Sequence, residues 1–363
     1  MNGGGTFAEG SSRTVVATAN PGFAFVKWME GSVQVSANPS FTFTLVANRT
    51  LVANFRLLDV GGDLLVDFGS RGLWQFLNNA TWQRIDASSP LVVATGDLDG
   101  GGKDEAIASF PGRGLLARYN NANPWRKLSD WMPAYIVTGD FDGNGKDDVA
   151  IDRGVSGIWV LRNNAAPWVK LHALASEGLA VGDLDGNGKA ELLADFGPTG
   201  RPNTVQGLWV MYNNSGSWAK LHATSPARIA TGNFDGTQRA DVAADLGNQG
   251  LRTRYNNAGA FVSLALSGSQ SLTSGDVDGS GKAELIADRG AAGLWLRFNN
   301  STWSRVTLSD PVGVLAADLD KNGKAEVVAD FGVTGIFARY NNAGPWVSLR
   351  AWVGQGMAAG DFD

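Results

Sequence analysis

The sequence predicts an all-β protein built mainly as a seven-bladed β-propeller, and three observations carry that prediction. An acidic, glycine-rich segment recurs at a nearly fixed period, four short strand-like runs fill each period, and no helical periodicity competes with them. The type segment, GDLDGNGKAELLADFG, spans Gly182 to Gly197. Its copies begin at Asp97, Asp140, Asp183, Asn233, Asp276, Asp318 and Asp361, at intervals of 43, 43, 50, 43, 42 and 43 residues. Four short strands in about 40 to 45 residues make one propeller blade.

The elements follow in chain order. Residues 1–56 lack the repeat, and the alternation in TVVATA, FAFVKW and FTFTLV predicts three or four strands of a small β domain. Residues 57–363 hold the repeats. Within one repeat, a VATGDL-type strand leads into the acidic turn and an AELLADFG-type strand leaves it. A GLWVMYNN-type strand then ends at an Asn-rich hairpin turn, and a WAKLHA-type strand closes the unit.

Three further markers also count to seven. A glycine–apolar pair opens at Gly72, Gly114, Gly157, Gly207, Gly250, Gly293 and Gly335. An Asn pair opens at Asn78, Asn120, Asn163, Asn213, Asn256, Asn299 and Asn341, and an aromatic follows each pair. The long interval contains an insertion, Pro198 to Gln206. The chain ends in the first half of an acidic turn, Asp361 to Asp363, while DVGGDLLVDFG from Asp59 supplies a second half with no first. Joined, they complete one unit, so a blade split between the two ends is expected to close the ring.

Bulk composition narrows the function. The chain has 363 residues, 44% hydrophobic and 18% charged, enough to bury a core. A net charge of −5 with no basic run argues against nucleic acid. With no cysteine, disulfides, zinc–thiolate sites and thiol catalysis are excluded. No apolar run reaches the roughly 18 residues of a membrane span. The start, MNGGGTFAEG, lacks the pattern of a signal peptide, and the abrupt ends suggest a piece of a longer exported protein.

Counted from its first residue, each acidic turn places oxygen-bearing side chains at places 1, 3, 5 and 9, with a backbone carbonyl at place 7 as a further donor. The candidate sets are Asp97, Asp99, Lys103 and Glu105; Asp140, Asp142, Asn144, Lys146 and Asp148; and Asp183, Asp185, Asn187, Lys189 and Glu191. They continue with Asn233, Asp235 and Asp241; Asp276, Asp278, Ser280, Lys282 and Glu284; and Asp318, Asp320, Asn322, Lys324 and Glu326. Asp361, Asp363, Asp59 and Asp63 form the split set. Hard, partly ionised oxygens converging on one point suit Ca²⁺. Polar turns favour Asp, Asn and Gly in any case, but a generic turn does not require acid at four fixed places seven times over. The sets at Asp140, Asp183 and Asp318 read as complete, those at Asp97 and Asp276 as weaker at place 5, and that at Asn233 as the weakest.

These turns resemble FG-GAP/VCBS-type propeller repeats over residues 57–363, on the DxDGNGKxE core. The resemblance implies a secreted propeller with structural calcium, used mostly for adhesion or glycan binding. Residues 1–56, with Gly22-Phe23, Trp28 and Leu51 to Phe55, look like an internalin-type B-repeat, which implies a bacterial, extracellular setting.

No catalytic centre is expected. Of 35 acidic residues, 21 stand at turn places and six are the repeated Asp67, Asp152, Asp195, Asp245, Asp288 and Asp330. His172 and His222 sit at one repeat place and read as structural. Trp74, Trp159, Trp209 and Trp295 share another place; packing between blades is the favoured reading, and stacking on sugar rings the functional one. Arg201, in the insertion, breaks the symmetry and is a candidate for ligand contact. The expected partners are glycans or cell-surface glycoconjugates, with other domains of a longer chain as a further possibility, and neither nucleic acid nor membrane insertion. The alternatives are a non-catalytic scaffold domain and a propeller-fold polysaccharide lyase or hydrolase.

Overall fold

The computed structural model describes residues 5–17, 23–31, 33–36, 38–57, 62–122, 124–197, 206–214, 216–237, 239–265 and 268–362. Asp59, Asp363, Arg201 and nearly all of the 198–206 insertion therefore lie outside the described residues. The chain divides into a small N-terminal unit, residues 1–60, and a large unit of residues 61–320 and 324–363.

In the small unit, Ser12–Val16 pairs antiparallel with Ser40–Thr44. Phe23–Glu30 lies between Val33–Ser36 and Leu51–Leu57. Trp28 is fully buried and its indole N–H donates to the Pro39 carbonyl at 3.1 Å.

The large unit is propeller-like: its described residues form seven four-stranded antiparallel sheets and no α-helix. Six sheets take their strands in sequence order. Their first strands are Val92–Gly96 (sheet 2), Tyr135–Gly139 (sheet 3), Gly178–Gly182 (sheet 4), Arg228–Gly232 (sheet 5), Ser271–Gly275 (sheet 6) and Gly313–Ala317 (sheet 7). Sheet 1 is composite. Its first strand, Gly356–Gly360, comes from the end of the chain and pairs with Asp63–Asp67, followed by Leu73–Leu77 and Thr81–Asp86.

The second strand of every sheet is buried along its whole length, from Asp63–Asp67 to Glu326–Asp330. Each is covered on both faces by neighbouring sheets, which is why ELLAD and EVVAD read as continuous apolar runs without alternation. In sheet 1, Leu64 and Val66 pack with Val328 and Ile336 of sheet 7, while Leu65 packs with Ala106 and Ala108 of sheet 2. Seven such hydrophobic clusters occur, one between each pair of adjacent sheets, including sheets 7 and 1. Each fully buried Leu, Ile or Phe in them contributes about 1.5–3 kcal/mol.

Backbone bonds join the sheets in the same order. The N–H at turn place 8 donates to the place-1 carbonyl of the preceding sheet: Asp147 to Asp97, Ala190 to Asp140, Ala240 to Asp183, Ala283 to Asn233 and Ala325 to Asp276, at 2.7–2.8 Å. Gly62 donates likewise to Asp318 at 2.8 Å, and Asp104 to Asp361. On the fourth strands, indole N–H groups reach the preceding sheet: Trp82 to Leu349, Trp168 to Leu128, Trp218 to Leu171 and Trp303 to Leu264. In these four sheets the aromatic that follows the Asn pair ties neighbouring sheets together, whereas the Trp125 indole nitrogen of sheet 2 is buried without an acceptor.

The glycine that opens the third strand has an equally local cause. A Cβ on Gly157 would lie 2.1 Å from the His172 carbonyl oxygen, at φ +83°, and five of its counterparts face the same carbonyl at 2.0–2.3 Å. Gly154, three residues earlier, has φ +61° and open space around it. Gly154→Ala should therefore cost about 1 kcal/mol, the usual penalty for left-handed backbone. Gly157→Ala must also displace a fourth-strand backbone, and is expected to cost clearly more. Thermal melts of the two variants check this; equal losses would refute it.

Candidate metal centres

Each acidic turn runs from the end of a first strand to the start of a second, so its place-9 acid is the first residue of a buried strand. Glu105, Asp148, Glu191, Asp241, Glu284, Glu326 and Asp63 are at most 1% exposed. One carboxylate oxygen of each accepts the place-2 backbone N–H: Leu98, Phe141, Leu184, Phe234, Val277, Leu319 and Phe362, at 2.8–3.2 Å. The other accepts the N–H of the first Asn in the hairpin pair: Asn120, Asn163, Asn213, Asn256, Asn299, Asn341 and Asn78, at 2.7–3.2 Å. The place-9 acid is thus a clamp between two turns whether or not it also holds a cation.

The remaining places are organised around the same point. The place-1 carboxylate collects three loop amides; for Asp183 these are Gly186, Asn187 and Gly188 at 2.7, 3.1 and 2.8 Å. Asp97, Asp140 and Asp276 repeat the arrangement, whereas Asn233 collects Gly236 alone among the described residues. The Asn pair belongs to the site as well. Its first member donates from Nδ2 to the place-3 aspartate: Asn120 to Asp99, Asn163 to Asp142, Asn213 to Asp185, Asn256 to Asp235 and Asn299 to Asp278, at 2.5–3.2 Å. Sequence reading assigned these asparagines only to a hairpin; their fixed offset from the acids was the signal. Their left-handed backbone, φ 49–54° at Asn120, Asn163, Asn213 and Asn256, suits a residue type that tolerates that region.

Carboxylate oxygens converge to within 4.8 Å of one another in four turns: Asp97, Asp99 and Glu105; Asp183, Asp185 and Glu191; Asp276, Asp278 and Glu284; and Asp318, Asp320 and Glu326. These clusters could hold a metal ion. All four carry Glu at place 9. The Asp140, Asp142 and Asp148 set, with Asp at place 9, is not among them, since the shorter side chain keeps its oxygens at the strand; the Asn233 turn has only two acids to offer. Place 5 matters less than its composition suggests. Asp97 and Asp276, whose turns have Gly101 and Ser280 there, belong to converging sets. Asn144 and Asn187 use their side chains inside the loop, accepting the Lys146 and Lys189 amides and donating to Asn163 and Asn213. Asp142 keeps one buried oxygen, Oδ1, with no hydrogen-bond donor. Of the split set, Asp361 and Asp63 are described; Asp63 clamps Phe362 as above.

Place 7 contributes packing. The stems of Lys146, Lys189, Arg239 and Lys282 lie along the place-4 glycines Gly100, Gly143, Gly186 and Gly236 of the preceding sheets. Place 8 breaks the repeat in two sheets. Asp104 and Asp147 stand where other sheets have Ala190, Ala240, Ala283 and Ala325, and they accept the Asp361 and Asp97 amides at 2.9 and 3.2 Å. Burial, then the charge of Asp104, pushes Asp147 up to about 6. The sequence reading set these two acids aside; alanine at the matching places was the signal that marked them.

The other singled-out residues are engaged by the fold. Asp67, Asp152, Asp245, Asp288 and Asp330 each accept the amide two residues later, at Gly69, Gly154, Gly247, Gly290 and Gly332. His172 Nδ1 accepts the Leu174 amide and His222 Nδ1 that of Thr224, leaving both rings structural. Trp74, Trp159, Trp209 and Trp295 are half-buried with cations beside them: Arg350, Lys170, Lys220 and Arg305 lie 4.7–5.7 Å from the respective ring centroids.

The electrostatics of the turns follow from burial. Glu105, Glu284 and Glu326 are each pushed up to about 7, first by burial and then by the place-3 and place-1 carboxylates. Asp148 rises to about 6 for the same reasons, and Glu191 and Asp241 also rise. Without a cation, the folded protein therefore binds more protons than the unfolded chain between about pH 4.5 and 7. Stability from these groups is fullest below pH 4 and is lost as pH rises through their folded values. In chelator, the melting midpoint should fall between pH 5 and 8; a rising midpoint over that range would contradict the assignment.

Residues 1–58 match the family model of the divergent InlB B-repeat domain. That match covers only the N-terminal part of the chain. No curated protein sequence matches. Among solved structures, BBS1N in complex with ARL6DN aligns with a TM-score of 0.53 at 12% identity, covering 75% of this chain and 84% of that one. Apo AztD from Citrobacter koseri aligns at 0.44 and 12% identity, covering 83% and 98%. The rhamnogalacturonan lyase YesW aligns at 0.44 and 15%, covering 94% and 74%. The likeness concerns the propeller-like fold.

Proposed function

We propose that the seven sheets are the blades of one closed propeller of the FG-GAP/VCBS kind, stabilised by calcium and exported to the outside of a bacterium, where it serves as a glycan-binding or adhesion module without catalysis. The recurrence of converging Asp-x-Asp…Glu triads in four turns carries this reading. Oxygen-only donor sets favour a hard divalent cation. Three carboxylates within 4.8 Å, one of them buried, need a positive partner to ionise together. The spare Asp142 oxygen and the raised acids fit such a partner. Carboxylate oxygens that already accept one amide retain a second lone pair for it. A bound cation would neutralise the turn and fix the loop between first and second strands. Closure is supported by the seven inter-sheet clusters and by the composite sheet 1. The match to the InlB B-repeat model favours an exported bacterial protein. Binding is favoured by half-buried indoles near the surface, each with a cation beside it.

Chelation at pH 7.5 should lower the melting midpoint by roughly 5–10 °C, as a cation held at about 100-fold above its dissociation constant would predict. Added Ca²⁺ should restore it, and Glu326→Gln should shrink the effect. An unchanged midpoint with no bound metal would end the calcium reading.

A glycan array in calcium tests the binding role, with retention on at least one saccharide class expected. Silence across a broad array would favour the scaffold alternative. The paired acids Asp104 and Asp147 favour a second reading, a polysaccharide lyase or hydrolase. New reducing ends or unsaturated products on a polysaccharide panel, lost in Asp147→Asn, would establish it over simple binding.

A further inference from the structure

Where sheet 7 meets sheet 1, two arginines converge; at the junction of sheets 1 and 2 the matching places hold an arginine and an acid, Arg113 and Asp86. Arg350 ends the fourth strand of sheet 7, paired with Ile336. The same register holds Asp86, Ser129, His172, His222 and Thr307 in five other sheets. Arg71 ends the short turn Gly69–Arg71 after the second strand of sheet 1. Its counterparts Ser156, Gln249, Ala292 and Thr334 are uncharged, and Arg113, at the same place in sheet 2, is ion-paired with Asp86 at 2.8 Å.

Both guanidiniums lie against Trp352, at 3.6 Å (Arg350) and 4.7 Å (Arg71) from guanidinium carbon to ring centroid. Arg350 is also 5.2 Å from the ring of Trp74. Trp74 meets Trp352 edge-on at 5.4 Å, and its indole N–H donates to the Arg71 carbonyl at 2.9 Å, anchoring the turn that carries Arg71. Phe68 and Trp82 back the cluster. Pinning on indole faces holds the two cations in place.

Neither side chain has a hydrogen-bond acceptor or carboxylate partner among the described residues, whose ion pairs lie elsewhere, at Arg49, Arg113 and Lys127. Arg350 Nε is buried with no acceptor. Burial and then the nearby charge of Arg71 weaken the protonated form of Arg350, the mark of two like charges left uncompensated. A chain of net charge −5 does not produce this as part of a generally basic surface. Two guanidiniums pinned side by side without a carboxylate, one half-buried and one exposed, are complementary to an oxyanion, which accepts from them in a forked, charge-assisted geometry.

We propose that this groove binds a carboxylated sugar, a uronate unit of an acidic polysaccharide, with the carboxylate on Arg350 and Arg71 and the ring's C–H face against Trp74. The assignment rests on the carbohydrate-binding reading above and names the charge class of the ligand.

Affinity electrophoresis of the full chain in calcium, through gels containing polygalacturonate, dextran sulfate or dextran, tests it. Polygalacturonate should retard the wild-type protein most. Arg350→Gln and Arg71→Gln should each weaken that retardation at least tenfold, while Lys127→Gln leaves it unchanged. Thermal melts run alongside, and if Arg350→Gln fails to fold, the exposed Arg71 carries the test. Undiminished retardation of the arginine variants overturns the site, and stronger binding to dextran sulfate overturns the carboxylate. Binding to dextran alone overturns this inference but leaves carbohydrate binding standing. Silence on all three gels, with a silent glycan array, overturns both.

Discussion

The large unit depends on one interaction made seven times: a buried carboxylate at the start of each second strand, receiving a backbone amide from the acidic turn on one oxygen and from the Asn hairpin on the other. The second strand is the most buried element of every sheet, so an acid at its first residue is expensive to place there. Its two amide donors offset that cost only when both turns adopt their native shape. The clamp therefore couples the two turns at one edge of the sheet to each other and to the buried strand.

From this clamp the sites inherit their geometry. Because the place-9 acid is held at the strand, the length of its side chain decides whether its oxygens reach the place-1 and place-3 carboxylates. Glutamate reaches in four turns; aspartate does not in the turn of Asp148. The same burial raises the acids and leaves each cluster short of positive charge. These clusters could hold a metal ion, and the structural role of the clamp is independent of it.

The sheets are near copies, which makes departures from the pattern informative. Asp104 and Asp147 replace alanine at place 8, and Arg350 and Arg71 introduce unpaired cations between sheets 7 and 1. The acids add a second inter-sheet bond where other sheets have only the backbone one, and the arginines stack on Trp352 without a carboxylate partner.

Much of the architecture was legible in the sequence. The recurring acidic segment, the glycine before each third strand and the strand that the chain's end adds to Asp63–Asp67 follow from turn chemistry, a carbonyl where a Cβ would stand, and strand pairing. Those constraints act within about 40 residues and so leave a periodic trace. Tertiary structure alone decided which carboxylates converge, that the hairpin asparagines bind the place-3 aspartates, and that Arg350 meets Arg71 across more than 270 positions of sequence. These outcomes depend on side-chain reach and on which sheet lies beside which, and neither quantity has a period along the chain.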